Sequence, residues 1–151
     1  MKTIIDTDNA EVIVEENGKT SHFRMETAEA FDAVARAYLR VGWDTKYVYS
    51  FSWLGRPIIQ LPDDMIRIQE LIYSVKPDII VEIGVAHGGS LIYYANILQA
   101  MGKGRVVGID VEIRKHNRTA IEKHPLYDRI SLIEGDSTTQ ATLDKVKAQV
   151  S

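Results

Sequence analysis

Apolar residues in the second part of the chain follow two spacings, which predict strands and helices in alternation. Mostly apolar runs at 79–83, 106–109 and 130–133 predict strands, and the first is typical of a strand buried on both faces of a sheet. Apolar residues between the runs recur every three or four positions, as in amphipathic helices. Three helices are predicted. The first runs from Ser90 to Met101, the second follows the second strand and extends through Ile121, and the third runs from Thr139 to Val150. This alternation across short loops favours a parallel sheet with right-handed crossovers.

Another helix is predicted before the first of these strands. Pro62 suits the first position of a helix, and the two aspartates after it favour the positive end of the helix, whereas Pro77 prevents its continuation. Apolar residues at helical spacing would form its buried stripe: Met65, Ile68, Leu71, Ile72 and Val75.

The N-terminal part of the chain has the pattern of a hairpin followed by a helix. Residues 11–15 and 20–24 read as two strands joined by the turn Asn17-Gly18. Thr27 is a predicted N-cap, and Gly42 is expected to end the helix that follows. Its predicted apolar positions are Phe31, Val34, Ala35 and Leu39.

An aromatic stretch, Trp43 to Trp53, joins this part to the alternating pattern. Its rings at Tyr47, Tyr49, Phe51 and Trp53 would lie on one side of an extended strand. We favour packing of these rings on the main core, because aromatic side chains dominate cores. The alternative is that they form a lid or wall over a substrate pocket. We divide the chain into an N-terminal extension, 1–52, and an α/β domain, 53–151.

Composition narrows the possible functions. The 151 residues are 45% hydrophobic and carry a formal net charge of −3, which suits a globular protein and gives little means of holding nucleic acid. Without cysteine, the chain has no disulfide, Cys-ligated zinc, iron–sulfur cluster or thiol nucleophile. The uncharged run 83–102 is long enough for a membrane span, but a Gly-Gly pair interrupts it. With no signal peptide in the sequence, we expect a soluble, cytoplasmic protein with neither nucleic-acid nor membrane partners.

Acidic residues end each of the three predicted parallel strands. Glu82 lies at the end of the first strand, Asp110 at the end of the second, and Glu134-Gly-Asp-Ser137 at the end of the third. The ligand crevice of an open parallel sheet lies outside the carboxyl ends of its strands. We therefore expect carboxylates from three strands to meet at one site.

The loop after the first strand is rich in glycine. Its pattern, Gly84-x-x-x-Gly88-Gly89, differs from the Gly-x-Gly-x-x-Gly of dinucleotide-binding proteins. The glycines allow backbone to approach a ligand closely, and the amides that open the helix at Ser90 can receive a carboxylate. Asp110, about twenty residues beyond the loop, can accept hydrogen bonds from both hydroxyls of a ribose. The pattern predicts a nucleoside ligand.

The charges beside the loop favour one class of nucleoside. Glu82 and Asp136 would repel a pyrophosphate and attract a sulfonium and an α-amino group, as in S-adenosylmethionine. Two other interpretations stay open: half of an NAD-dependent oxidoreductase domain, and a non-catalytic nucleoside-binding or assembly module.

Several motifs resemble those of the cephalosporin hydroxylase family, which is similar to class I S-adenosylmethionine-dependent methyltransferases, including rhamnosyl O-methyltransferases. The motifs lie within residues 53 to about 138. They are Trp53-x-Gly55-x-Pro57-x-x-Gln60-x-Pro62-x-Asp64, Gln69-Glu70, Lys76-Pro77-Asp78, Val81-Glu-Ile-Gly84, Gly88-Gly-Ser90, Val107-Gly-Ile-Asp110 and Ile133-Glu-Gly-Asp-Ser137. The resemblance implies a Rossmann-like fold that binds S-adenosylmethionine, in an enzyme that methylates or hydroxylates a small molecule with a hydroxyl acceptor.

The resemblance also implies roles for the matching residues. Glu82, Gly84 and the turn Gly88-Gly89-Ser90 would hold the methionine part of the ligand. Asp110 would hold the ribose, and Asp136 with Ser137 would lie beside the adenine.

Histidines are weaker candidates. His87 belongs to the cofactor loop, and we favour a capping or solvent-exposed role for it over that of a general base, so no catalytic residue is assigned. His116 and His124 are expected at the surface.

The sequence departs from the family in one respect. In related enzymes, later strands carry acidic segments that bind magnesium, and no segment of this sequence matches them. We therefore expect a C-terminally shortened chain that is not catalytically competent alone, with magnesium bound only in a full-length homologue. The first parallel strand would then be an exposed edge, which predicts a homo-oligomer or an edge covered by the N-terminal hairpin and the aromatic stretch.

Overall fold

The computed structural model describes residues 1–150. The chain divides into two compact units, Met1–Tyr47 and a second unit that begins at Val48.

The first unit contains a three-stranded antiparallel sheet, in the order β1-β2-β3. The strands are β1 (Lys2–Asp6), β2 (Glu11–Glu16) and β3 (Lys19–Arg24). The predicted hairpin is confirmed, since β2 pairs with β3 around a turn in which Asn17 and Gly18 have φ angles of +51° and +74°. Strand β1, which the sequence analysis did not predict, adds to the free side of β2.

Helix α1 (Ala28–Asp44) follows the sheet. Its predicted start is confirmed, because the Thr27 hydroxyl accepts a hydrogen bond from the amide of Ala30 at 3.3 Å. Its predicted end at Gly42 is wrong by two residues, since the helix continues to Asp44.

The apolar stripe predicted for α1 is wrong at two of its four positions, whereas Val34 packs against the small core of this unit and Ala35 is half-buried. Phe31 and Leu39 are 76% and 42% exposed. The helix instead buries Ala30 and Ala33 in a small core that includes Val12 of β2. Small residues let the helix backbone approach the sheet closely, and this face is offset from the one that the larger residues mark.

The aromatic stretch does not form one extended strand. It consists of the end of α1, a 3-10 turn at Tyr47–Tyr49, and a short strand, β4 (Phe51–Trp53). Phe51 and Trp53 pack against the main core, whereas Tyr47 and Tyr49 are 41% and 51% exposed. The favoured interpretation therefore holds for the last two rings only.

The second unit has the predicted alternation of strands and helices. Strand β4 pairs with β5 in an antiparallel hairpin, and three further strands form a parallel sheet in the order β6-β7-β8. The elements are β5 (Arg56–Ile58), α2 (Pro62–Val75), β6 (Ile79–Ile83), α3 (Gly89–Ala100), β7 (Arg105–Asp110), α4 (Lys115–Glu122), β8 (Ile130–Glu134) and α5 (Gln140–Val150).

The two faces of the parallel sheet are covered unequally. The larger core lies on the face where α3 packs, and Leu91, Ile92 and Leu98 of that helix are fully buried. On the other face Val107, Ile109 and Ile133 form a smaller core with α5. Among residues 1–150, no helix is both long and apolar enough to cross a membrane.

Two predictions about burial are wrong on β6 and α2. Val81 and Ile83 of β6 are 46% and 70% exposed, because β6 has β7 as its sole strand partner among the described residues. The hairpin strands β1–β3 pair in a sheet of their own and do not extend the parallel sheet at β6. On α2, Met65 and Ile72 are buried, but Leu71 and Val75 of the predicted stripe are exposed.

Candidate functional site

The loop between β6 and α3 turns sharply at the carboxyl edge of the parallel sheet. Three of its residues have left-handed backbone conformations: Gly84 (φ +96°), Ala86 (φ +45°) and Gly88 (φ +81°). Gly88 caps the N-terminus of α3. Glycine adopts such angles freely, whereas Ala86 adopts them at an energetic cost.

Gly88 and Gly89 also allow close packing of protein against protein. A Cβ atom at Gly88 would lie 2.5 Å from Cγ1 of the buried Ile121 on α4. One at Gly89 would overlap the carbonyl of Pro57 and lie 2.8 Å from Cα of Ile58. The glycine pair thus brings α3 against both α4 and β5, a constraint that the sequence pattern did not indicate.

Asp110, at the end of β7, binds the amides of this loop. Its Oδ2 atom accepts hydrogen bonds from the amides of Val85 at 2.8 Å and Ala86 at 3.3 Å. Burial alone would raise the pKa of Asp110, but the amide hydrogen bonds outweigh it, and the pKa lies below its ordinary value. The donors are the backbone amides of Val85, Glu112, Ala86 and Val111.

The carbonyl groups of the loop are bound by two residues that the sequence analysis did not assign. Asn117 of α4 donates from Nδ2 to the carbonyl of Ala86 at 2.8 Å. Arg56 of β5 donates to the carbonyl of His87 from Nε at 3.0 Å and also from Nη2. Arg56 lies at an unspecified position of the Trp53–Asp64 motif, and Asn117 lies outside every motif. No sequence pattern therefore marked either residue as functional.

A cavity of about 210 Å³ lies on one side of the loop; we call it the Glu82 cavity. Predicted residues Glu82, Gly84, His87, Gly88, Gly89 and Ser90 all line it. Glu82 accepts a hydrogen bond from the Ser90 hydroxyl at 2.9 Å. Burial raises the pKa of Glu82 to about 7, although the Ser90 hydrogen bond opposes that rise.

Gln60 adds an acceptor to the Glu82 cavity that sequence reasoning missed. Its Oε1 atom is buried and has no hydrogen-bond partner within residues 1–150. Its side chain lies beside Tyr94 and opposes the rise in the pKa of that residue that burial and the charge of Glu82 cause. A buried acceptor without a donor is costly, and a ligand group with N–H donors would remove this cost.

Two further cavities adjoin Asp110. The Asn117 cavity, of about 320 Å³, is lined by His87, Asp110 and Asn117 among others. The Ser137 cavity, of about 220 Å³, is lined by Gly84, Asp110 and Ser137 among others. The Glu82 cavity and the Asn117 cavity therefore both adjoin the loop, and Ala86 and His87 line both of them.

Asp136 lies outside these three cavities. Its carboxylate accepts hydrogen bonds from the amide of Thr138 at 2.9 Å and from its hydroxyl at 2.7 Å. These bonds lower the pKa of Asp136, the amide bond contributing most. Its place beside an adenine stays a prediction, and among the residues assigned at the end of the third strand, Ser137 alone lines a cavity described above.

The other two histidines differ in their surroundings. His116 is exposed, as expected. His124 is half-buried and lies 3.1 Å from the carbonyl of Leu54 through Nε2, while its Nδ1 accepts the amide of Leu126. It thereby links α4 to the β4–β5 turn. Among residues 1–150, no group of three His, Asp or Glu side chains is placed to hold a metal ion.

The fold and the site match one protein family. The family model described as rhamnosyl O-methyltransferase/CmcI matches residues 45–151. The rhamnosyl O-methyltransferase of Mycobacterium leprae (strain TN) is 23% identical over 117 residues, which make 77% of this chain and 49% of that protein. That of Mycobacterium tuberculosis (strain ATCC 25618 / H37Rv) is 29% identical over 72 residues, 48% of this chain and 29% of that protein. The chain spans about half the length of the first relative and less of the second.

Solved structures of CmcI have a similar fold. An apo structure superposes with a TM-score of 0.53 at 25% identity, over 66% of this chain and 41% of that one. A structure described with Mg and SAM superposes with a TM-score of 0.50 at 25% identity, over 64% and 40%. These likenesses confirm the expected α/β, Rossmann-like methyltransferase fold and the family that the motifs indicated. The chain belongs to the rhamnosyl O-methyltransferase/CmcI family.

Proposed function

We propose that this chain forms the S-adenosylmethionine-binding part of an enzyme, a small-molecule O-methyltransferase or a cephalosporin-hydroxylase-like protein. The observation that carries the proposal is the loop 84–88, which adjoins both the half-buried carboxyl group of Glu82 and the carboxylate of Asp110 that binds its backbone amides. The family match and the CmcI structure described with Mg and SAM support it.

In this proposal the Glu82 cavity receives the amino-acid end of the ligand. Glu82 and Gln60 Oε1 offer acceptors to an α-ammonium group, and among residues 1–150 no Lys or Arg lies within ion-pair distance of Glu82. The ligand carboxylate would lie at the N-terminus of α3, where the first amides and the helix dipole favour an anion. A pyrophosphate is disfavoured beside Glu82, which argues against the NAD alternative.

The nucleoside end of the ligand occupies the side of Asp110. Oδ2 of Asp110 accepts two loop amides and Oδ1 accepts one, that of Glu112 at 3.3 Å, so Oδ1 has more capacity left to accept ribose hydroxyls. Ser137 and Asp136 follow on β8 and would lie toward the adenine. The loop itself would then separate the two ends of the bound ligand.

Bound S-adenosylmethionine would supply an electrophilic methyl group for transfer to an acceptor hydroxyl. The residues of this chain hold and orient the cofactor for that reaction. His87 lines both cavities beside the loop and is a weak candidate for a residue near the acceptor. Among residues 1–150, no cluster of His, Asp or Glu side chains is placed to hold magnesium. A full-length homologue that binds this ion would hold it with other residues.

The proposal includes a small-molecule partner and self-association. The acceptor is a small molecule with a hydroxyl group, and the protein acts in the cytoplasm without nucleic acid or membrane. The exposed edge of β6, with Val81 and Ile83 open to solvent, supports a homo-oligomer.

Titration calorimetry with three ligands tests the proposal. We expect S-adenosylhomocysteine to bind with one-to-one stoichiometry and 5′-methylthioadenosine, which lacks the amino-acid end, to bind more weakly. NADH should give no saturable heat. Saturable binding of NADH without binding of S-adenosylhomocysteine would contradict the proposal and favour the oxidoreductase alternative, and no binding of any nucleoside would favour an assembly module.

A further inference from the structure

We propose that Arg56 and Asn117 are positioning residues that hold the cofactor loop in its binding conformation. Together they bind the carbonyl groups of Ala86 and His87, and we name this pair the carbonyl clamp. The inference deepens the proposed function and rests on it, since it concerns the loop that would separate the two ends of the ligand.

The loop has one internal hydrogen bond, from the amide of Gly88 to the carbonyl of Val85 at 2.7 Å, and its backbone is strained. Three of its five residues have left-handed backbones, and Ala86 is not a glycine. A residue with a Cβ atom adopts this conformation only where its surroundings compensate for the strain. Asp110 binds the amides of Val85 and Ala86, which leaves the carbonyl groups of Ala86 and His87, in the two peptide groups that follow, to be held by other groups.

The clamp supplies those groups from two other elements. Asn117 is only 4% exposed, and its two polar atoms are both used: Nδ2 donates to Ala86, while Oδ1 accepts from Arg56 Nη2 at 3.1 Å. The planar guanidinium of Arg56 donates to His87 through two nitrogens. The clamp thereby ties β5 and α4 to the loop.

Charge balance supports a positioning role for Arg56. Among residues 1–150, no carboxylate lies within ion-pair distance of its guanidinium, although the group is partly buried. Its N–H groups donate to the backbone carbonyl of His87 and to the side-chain oxygen Oδ1 of Asn117. Hydrogen bonds from a charged donor to these oxygens are stronger than neutral ones, so the contact suits a loop under strain.

The position of the loop determines the shape of both adjoining cavities. Ala86 and His87 line the Glu82 cavity and the Asn117 cavity. If the clamp is lost, the loop populates other conformations, and the apparent affinity for a ligand that spans both cavities falls with the fraction that remains competent.

The test compares clamp variants with a matched control. Arg56→Gln removes the positive charge and the paired N–H donors of the guanidinium. Asn117→Asp keeps an acceptor for Arg56 but loses the donor to the carbonyl of Ala86. Arg129→Gln is the control, because Arg129 also donates to a backbone carbonyl, that of Gly104 at 2.8 Å, away from the three cavities. Calorimetry with S-adenosylhomocysteine, thermal unfolding and amide hydrogen exchange at residues 85–88 are measured for each.

We expect Arg56→Gln and Asn117→Asp to weaken S-adenosylhomocysteine binding about tenfold and to speed exchange of the loop amides. Arg56→Lys, which keeps the charge and one donor, should restore part of the affinity. Arg129→Gln should lower the unfolding temperature and leave the affinity unchanged. If the first two variants do not fold, Arg56→Lys alone carries the comparison, and its loop amides should exchange faster than those of both the wild type and the Arg129→Gln control.

Two results would overturn the clamp: native affinity and native exchange in the clamp variants, or an equal loss of affinity in Arg129→Gln. Failure of the proposed function is a different result. In that case the wild type itself does not bind S-adenosylhomocysteine, while the exchange rates of the loop amides still report whether Arg56 and Asn117 hold the loop.

Discussion

Two acidic residues at the ends of neighbouring strands, Glu82 on β6 and Asp110 on β7, have opposite properties. Glu82 is half-buried, has one hydroxyl group as its hydrogen-bond partner, and has a pKa raised to about 7 by burial. Asp110 accepts several backbone amides, which lower its pKa below the ordinary value despite burial. The sequence presents them as equivalent acids at strand ends, but their surroundings give them different tasks.

The difference shows how one loop can serve a ligand with two unlike ends. Asp110 is ionised at neutral pH and partly committed to the loop amides, so it combines support of the loop with acceptance of hydroxyl groups. Glu82 lacks a cationic partner and is only partly ionised near pH 7, so a bound ammonium group would complete its site. Substitutions in the loop and at the two acids test this division of roles.

The largest effect is expected from a substitution that disrupts the loop between the two acids. Gly88→Val should abolish binding of S-adenosylhomocysteine, because the position needs φ of +81° and a Cβ atom would overlap the buried Ile121. The contact with Ile121 also predicts a lower unfolding temperature. Gly102→Val is the matched control, since Gly102 has φ of +75° but no neighbour within 4 Å. Native binding by a folded Gly88→Val protein would remove this turn from the site.

Glu82→Gln should have effects of opposite sign on stability and on binding. The folded-state pKa of Glu82, about 7, lies above its ordinary value of 4.5, so the folded state binds an extra proton at pH values between the two. Stability contributed by Glu82 is therefore present below pH 4.5 and lost as pH rises toward 7, a change of about 3 kcal/mol at most.

At pH 8, Glu82→Gln should therefore unfold at higher denaturant concentration than the wild type. It should bind S-adenosylhomocysteine more weakly and 5′-methylthioadenosine unchanged, because only the first ligand carries the amino group. Equal losses for both ligands would place the ammonium group elsewhere.

Asp110→Ala should weaken S-adenosylhomocysteine binding by roughly 1.5–3 kcal/mol, the range for losing hydrogen bonds to a charged group. Both ligands should lose affinity, in contrast to Glu82→Gln. Asp110→Asn, which keeps one acceptor oxygen, should lose less. Calorimetry of the two variants with both ligands checks this, and unchanged affinity in Asp110→Ala would exclude Asp110 from ribose binding.

The sequence predicted the parallel strands and the glycine loop because both depend on local chemistry. Apolar runs specify buried strands, and Gly84 and Gly88 mark left-handed backbone. It did not predict Arg56 or Asn117, because their contacts join segments 31 residues apart and depend on tertiary packing. It also placed Val81 in a doubly covered strand, since an apolar run does not show which neighbours a strand has among the described residues.

The most direct test of the central claim is the pH dependence of S-adenosylhomocysteine affinity from pH 5.5 to 8. The ammonium group favours ionised Glu82, so the affinity of the wild type should be constant above pH 7.5 and fall toward tenfold per unit below pH 7. Tyr94, whose pKa is raised by burial and by the charge of Glu82, stays neutral in this range. Glu82→Gln should remove the dependence, whereas Asp110→Asn should retain it. An affinity that does not change with pH in the wild type, or the same slope in Glu82→Gln, would contradict the assignment of Glu82 to the ammonium group.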